Sequence, residues 1–315
     1  MSADPIALDS ARSVPRAGAG GTRHALGAAL TPLARAWIRY APWSIGKHWL
    51  WQKFHWRQHD FSCRMVGGAR MTGNTRDLIQ RHLYYFGTWE PNISRWISTT
   101  LQPGDGFIDI GANIGYYSVL ASARVGDEGC VVAVEAAPWI HALLEWHVAL
   151  NGRNNVRTLA LAASASAGTL KLYPGSADNI GKTTTVKGDG EPVEVAALPL
   201  ADMLLDEEIR RARIIKIDVE GAEPDVLRGL VPVLGRMRDD LEIVMEVSPS
   251  LMSDPERSRD EIFATLSGFG FAAYVFDNDY GVETYLQGGR ASRPVPLRDT
   301  AFSAQTDVLF SRARY

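Results

Sequence analysis

A strict alternation of short apolar runs with helix-length segments limits this chain's fold more than any other feature. Gly106–Ile110 is an apolar run closed by Gly111, and 113–125 has helical periodicity. A second run, 131–134, ends at Glu135. Pro138–Leu150 is again periodic, with a proline in its first turn and Asn151-Gly152 as its stop, and 156–161 is a third run. Runs this short and this apolar, separated by helices, read as parallel strands, because a parallel strand is covered on both faces and needs a crossover to reach its neighbour.

The second half continues the pattern less evenly. Segments 168–173 and 193–197 alternate like an exposed hairpin pair, and the loop between them, 174–192, is long enough to be functional. Helices are expected at 202–211, 224–234 and 257–268. Strands are expected at 213–217, ending at Asp218, at 241–247, at 271–276 and at 306–311. The expectation is an α/β fold: a seven-stranded, mostly parallel Rossmann-like sheet with helices on both faces and an antiparallel last strand. Hydrophobic residues at 46% and charged residues at 22% exclude a largely disordered chain.

Ahead of this region the composition differs. Residues 1–24 are small and polar, broken by Arg12, Arg16 and Arg23, and read as a flexible tail without the apolar stretch of a signal peptide. Residues 25–84 form a basic, Trp-rich arm expected to be helical, and 85–315 the main domain. Trp37, Trp43, Trp49, Trp51 and Trp56 fall within twenty residues, and from Leu33 to Arg70 seven Lys or Arg stand against one Asp, a formal +6. Such an arm could touch lipid headgroups, an acidic sugar carrier or RNA, or simply pack on the sheet and cap a cleft. The whole chain carries −3, so no global field favours DNA. No segment has the roughly 18 uninterrupted apolar residues of a membrane span, and a soluble cytoplasmic protein is expected. Cys63 and Cys130 have neither disulfide-framework nor metal-ligand spacing.

Three segments carry the chemistry. Asp109-Ile-Gly111-Ala-Asn113-Ile-Gly115 lies where the first strand turns into a helix. Glycines there permit positive φ and close approach of a ligand to the backbone. The G-x-x-x-G spacing departs from the G-x-G-x-x-G of pyrophosphate sites and suits a ligand with an uncharged linker and an amino-acid tail. Glu135, at the end of the second strand, can accept hydrogen bonds from two ribose hydroxyls, which marks a nucleoside without saying which. Lys216-Ile-Asp218-Val-Glu220-Gly221-Ala-Glu223 places a lysine inside an apolar strand and three acids beyond its end, at the edge where open α/β sheets bind ligands. A structural ion pair would account for the same residues.

Taken in order, these segments resemble the FkbM-type family of class I S-adenosylmethionine-dependent methyltransferases. The likeness rests on 109–118, on Glu135 with Pro138, on Asn151 and on 216–223, with 87–91 resembling the family's approach segment. It covers about residues 85 to 250. The departure is Ala136-Ala137 before Pro138, where the family places proline directly after the acid. The resemblance implies that Asp109, Gly111, Asn113 and Gly115 cradle the methionine part of S-adenosylmethionine, that Glu135 holds the ribose, and that Ser164 neighbours the adenine. Asp218 would stand near the methyl group as the base, with Lys216 and Glu220 beside it. Glu90, Asn179 and Glu246 are candidate acceptor contacts. A divalent cation such as Mg²⁺ on Asp218 and Glu246 is the alternative way to acidify a hydroxyl. The implied acceptor is a small molecule or glycan, and a membrane-bound or lipid-linked acceptor would engage the arm. The rival readings are an NAD-type oxidoreductase and a non-enzymatic binding module on the same scaffold.

Overall fold

The computed structural model describes residues 21–175, 191–276, 281–286, 293–298, 300 and 302–313, with side chains from residue 30 onward. Two helices, α1 (Gly21–Tyr40) and α2 (Lys47–Phe54), precede a hairpin of β1 (Asp60–Arg64) and β2 (Arg70–Asn74). Helices α3 (Leu78–Phe86) and α4 (Pro91–Thr100) lead into β3 (Gly106–Ile110), α5 (Tyr116–Val125), β4 (Cys130–Val134), α6 (Pro138–Leu150) and β5 (Val156–Leu159). A small sheet follows from β6 (Ala162–Ala163), β7 (Gly168–Leu172) and β8 (Val193–Leu198), then α7 (Leu200–Met203), α8 (Asp206–Arg211), β9 (Ala212–Ile217) and α9 (Glu223–Leu234). The chain continues through β10 (Glu242–Val247), α10 (Pro255–Gly268), β11 (Ala272–Val275), α11 (Val282–Leu286), β12 (Val295–Pro296) and β13 (Thr306–Ser311).

The central sheet runs β12-β11-β13-β10-β9-β3-β4-β5. Strands β3, β4, β5, β9 and β10 are parallel, and β13 inserts antiparallel between β10 and β11. All seven expected strands are present. The eighth, β12, is a two-residue addition on the edge strand β11, too short to leave a pattern in the sequence. Chain direction across the sheet reverses between β3 and β9, and the crevice at their carboxyl ends is where such sheets hold ligands.

Period-two alternation sorts side chains to two layers. Phe107, Val131, Ile214, Val244 and Leu309 face one layer with α4, α5 and α6. Ile108, Val132, Ile215, Ile243 and Phe310 face the other, where α9 and α10 pack. Asp109 and Lys216 are register partners on the first face. Glu246 is two residues past Val244 on that same face and pairs with Asp307 of β13. The sheet thus gathers ionisable groups from four strands beneath α4 and α5.

The arm is not purely helical. Residues 60–74 form the β1–β2 hairpin, turned by Gly67 and Gly68 at φ 88 and 92, a backbone that L residues with side chains avoid. Its burial alternates through Phe61, Met65, Ala69 and Met71. The buried His147 ties the hairpin down: its Nδ1 donates to the Ile114 carbonyl at 2.7 Å, and its Nε2 accepts from the Thr72 N–H at 3.1 Å. Of the five arm tryptophans only Trp51 is buried, against His82, Tyr85 and Phe86. Among the described residues, no helix is long and apolar enough to cross a membrane.

Candidate active site

A cavity of about 430 Å³ opens at the carboxyl ends of β3, β4, β9 and β10. Gly111, Asn113, Glu135, Asp218, Glu220, Glu246 and Glu90 line it, with an apolar wall from Leu78, Ile79, Trp89, Leu161, Leu170 and Leu172. Three non-glycine residues adopt positive φ among the described residues, and all three lie on its wall: Glu90 at 40, Asn113 at 50 and Glu220 at 52. Strained backbone persists where the surroundings hold it for a purpose, so this concentration marks the cavity independently of any motif.

The loop after β3 is fixed by close approach. A Cβ on Gly111, whose φ is 77, would sit 1.8 Å from the Asp218 carbonyl oxygen, and Asp218 N–H donates to the Ile110 carbonyl at 3.0 Å. The two strand ends therefore meet backbone to backbone. Glu135 spans the next gap: one carboxylate oxygen accepts from Asn113 N–H and the other from Ala137 N–H, each at 2.9 Å. Burial pushes its carboxyl up to about 7, against the pull of those two N–H groups. Each oxygen keeps a lone pair for a ligand hydroxyl.

Behind this wall lies an ionic cluster. Lys216 is buried, 2.8 Å from Asp218 Oδ2, with its ammonium over the Tyr117 ring at 5.0 Å. Burial alone would lower its pKa, but the carboxylates of Asp218, Glu90 and Asp109 outweigh that and hold it above its ordinary value. Asp109 accepts from the Ser118 hydroxyl at 2.6 Å through Oδ2, while its Oδ1 is buried with no hydrogen-bond partner among the described residues. Burial raises Asp109 to about 6. Glu90, at the start of α4, accepts from Tyr117 OH at 2.5 Å and is pushed up to about 8 by burial and by Asp307. Glu246 rises to about 10 through burial and the neighbouring Asp218 and Asp307.

Between pH 6.5 and 8 Glu90 and Glu246 lead the pH dependence, and Glu135 and Glu223, both raised to about 7 by burial, add to it in the same sense. Glu90 and Glu246 keep protons in the folded chain that they have already lost in the unfolded one. The folded state binds more protons, so stability falls as pH rises through this window. Below it, His82 and His147, both lowered by burial, work in the opposite sense. A melting midpoint that stays level or rises from pH 6.5 to 8 in scanning calorimetry would mean that these buried acids are already charged in the fold.

The expected site residues fall into groups. Gly111, Asn113, Glu135, Asp218, Glu220, Glu90 and Glu246 share the cavity. Asp109, Gly115 and Lys216 stand behind its wall. Ser164 is not on the wall; its N–H is spent on the Leu198 carbonyl, and Leu161, Ala162 and Ala163 line that side instead. Asn179 lies outside the described residues. The proposed cation pair of Asp218 and Glu246 is not the grouping found. Glu246 clusters with Glu90 and Asp307, whose oxygens lie within 4.8 Å of one another, whereas Asp218 is drawn to Lys216. Sequence reasoning missed Asp307, Tyr117 and the lining role of His82. An acid at the second residue of an otherwise apolar strand was the available signal for Asp307. His82, lowered to about 4 by burial, lines the cavity as a neutral ring among Trp51, Phe86, Trp89 and Tyr285.

Residues 109–273, just over half of the chain, match the model of the methyltransferase FkbM domain. Methyltransferase sdnD of Sordaria araneosa is 31% identical over 201 residues, covering 54% of this chain and 74% of the relative. Methyltransferase 1 of Beauveria bassiana is 30% identical over 149 residues, covering 41% of this chain and 59% of that relative. Among solved structures, a SAM-dependent O-methyltransferase from Thermotoga maritima aligns at 13% identity with a TM-score of 0.41, covering 84% of this chain and 82% of that one.

Proposed function

The chain belongs to the FkbM methyltransferase family, and from that premise we propose that it moves a methyl group from S-adenosylmethionine to a hydroxyl of a secondary metabolite or glycan. The observation that carries the reading is Glu135: a carboxylate at the end of the second strand, on the cavity wall, with each oxygen oriented by one backbone N–H. That is a receptor for two adjacent ribose hydroxyls. Gly111 and Asn113 line the cavity beside Glu135, so the backbone of this turn borders the space a cofactor would fill. Leu161, Ala162 and Ala163 offer a flat apolar wall for adenine.

S-adenosylmethionine supplies an electrophilic methyl carbon on a sulfonium. In the transfer, the acceptor oxygen bonds to that carbon as the sulfur–carbon bond breaks, the sulfur becomes a neutral thioether, and the hydroxyl proton goes to a base. Asp218 takes that proton. It lines the cavity, and Lys216 anchors one of its oxygens and so fixes its direction. Glu90 and Glu246, raised to about 8 and about 10, are protonated near pH 7 and serve as hydrogen-bond donors to the acceptor. We favour direct proton removal over a cation-assisted route because Lys216 already offsets the charge that a cation would neutralise at Asp218.

Glu135→Ala tests the cofactor role. Loss of charge-assisted hydrogen bonds costs about 1.5–3 kcal/mol, roughly tenfold to a hundredfold in affinity for S-adenosylmethionine. An unchanged dissociation constant in the folded variant would refute the ribose contact.

A further inference from the structure

The arm separates its aromatic and cationic residues in a way the cavity does not explain. Among the described residues, thirteen large apolar side chains are exposed, and eight of them fall between residues 30 and 56. Leu30, Leu33, Trp37 and Tyr40 lie on one stripe of α1, within an arc of about 80° at 100° per residue. Thr31, Ala34 and Ile38 form a different, buried stripe. One helix thus has two apolar faces, of which only one is packed. Trp43, Ile45, Trp49 and Trp56 are exposed as well, each at least 57% accessible. Trp37 links the parts: its indole N–H donates to the Ile45 carbonyl at 3.0 Å, and its ring lies 6.4 Å from that of Trp43. Such a concentration exceeds the scatter of single apolar residues on an ordinary surface.

We propose that this face docks on the surface of an anionic lipid bilayer. The charge balance of the chain points to that occupant. The segment from Leu33 to Arg70 carries a formal +6 in a chain of −3 overall, which leaves −9 on the rest. Arg35 is spent inward, donating to the Tyr84 carbonyl at 2.6 Å, and Lys47 is buried. Lys53, Arg64 and Arg70 remain exposed, and Arg57 stacks over the Trp56 ring at 5.1 Å. Indole rings with a polar N–H settle at the headgroup level of a membrane, and nearby cations add attraction to anionic lipid. Leu30, Leu33, Trp37 and Tyr40 lie on one face of α1, and Trp43 and Ile45 in the turn that follows it; an apolar helix face beside cations is the form in which interfacial helices meet lipid. A second copy is the poorer occupant, since a two-fold contact would bring two cationic arms together. The proposal is independent of methyl transfer, and its test reads no turnover.

The experiment is flotation of the full chain with vesicles of phosphatidylcholine containing phosphatidylglycerol, beside phosphatidylcholine alone. The protein should float with the mixed vesicles, less with the neutral ones and less at high salt, and its indole emission should shift to the blue. A Trp43→Ser, Ile45→Ser, Trp49→Ser variant, altered only at exposed positions, should partition about tenfold less or weaker still while melting at the parent temperature. If that variant fails to fold, Lys53→Glu with Arg64→Glu should give the same loss on anionic vesicles. Three results would overturn the proposal. The parent protein could stay in the soluble fraction with anionic vesicles. The folded triple variant could float like the parent. Light scattering could find a dimer that the same substitutions dissociate, which would make the face a contact between copies.

Discussion

Asp218→Asn should fold, bind S-adenosylmethionine with nearly the parent affinity, and turn over about 10²–10⁴-fold more slowly, the loss expected when a general base is removed. The substitution keeps the shape, and its amide oxygen can still accept from Lys216 Nζ, now 2.8 Å from the carboxylate. The capacity to take a proton is lost together with the negative charge that faces Lys216, so a thermal melt is read beside the rate. A chelator added to the parent enzyme separates direct proton removal from cation assistance. On the direct route the parent enzyme keeps its rate in excess chelator. On the other route it stops, and added Mg²⁺ or Mn²⁺ restores it. Full activity in Asp218→Asn would reduce the Lys216–Asp218 pair to a structural one.

Lys216→Met should destabilise the fold by about 3–5 kcal/mol, the range for removing one partner of a buried ionic cluster. Methionine approximates the aliphatic stem, so the effect isolates the charge. Lys216 is 4% exposed and is the cation facing Asp218, Glu90 and Asp109. Without it the negative charges of Asp109 and Asp218 face each other uncompensated beside the buried Glu90. Urea unfolding at pH 7 measures the loss, and part of it should be recovered at lower pH as the acids protonate. A change below about 1 kcal/mol would show that the acids compensate one another without the lysine.

The parallel sheet was legible because each strand is short, apolar and bounded. Thr306–Ser311 emerges with the ends expected of it, and Pro138–Leu150 with its proline and its Asn-Gly stop. Boundaries blurred where periodicity ran past a cap. The helix expected from 113 begins at Tyr116, because Asn113 and Gly115 take positive φ in the turn that leads from β3 into it. The segment 202–211 divides into α7 and α8 at Leu204 and Leu205, whose extended backbone interrupts the helix. The hairpin of residues 60–74 was missed although Gly67-Gly68 between alternating residues is a hairpin sign, because the tryptophans before it drew a helical reading of the whole arm.

At the site, the residues near the glycine turn were readable because their chemistry is local. Glu135 and Asp218 each stand at a strand end, and a strand end in this fold is an address. The acidic cluster was not readable as a unit. Glu90, Glu246 and Asp307 are far apart in sequence and meet only through the β10–β13 register and the position of α4. The family match, from Asp109 to Ala273, includes Glu246 but neither Glu90 nor Asp307. Packing against α4 and β13 therefore completes this acidic side of the cavity from outside the matched segment.

The most direct test of the central claim is isothermal titration calorimetry of the full chain with S-adenosylmethionine, its demethylated product and NAD in separate runs. The account predicts that both sulfur ligands bind with one site per chain, that Glu135→Ala weakens both, and that NAD gives no heat beyond dilution. Binding of NAD alone, or of none of the three, would contradict it.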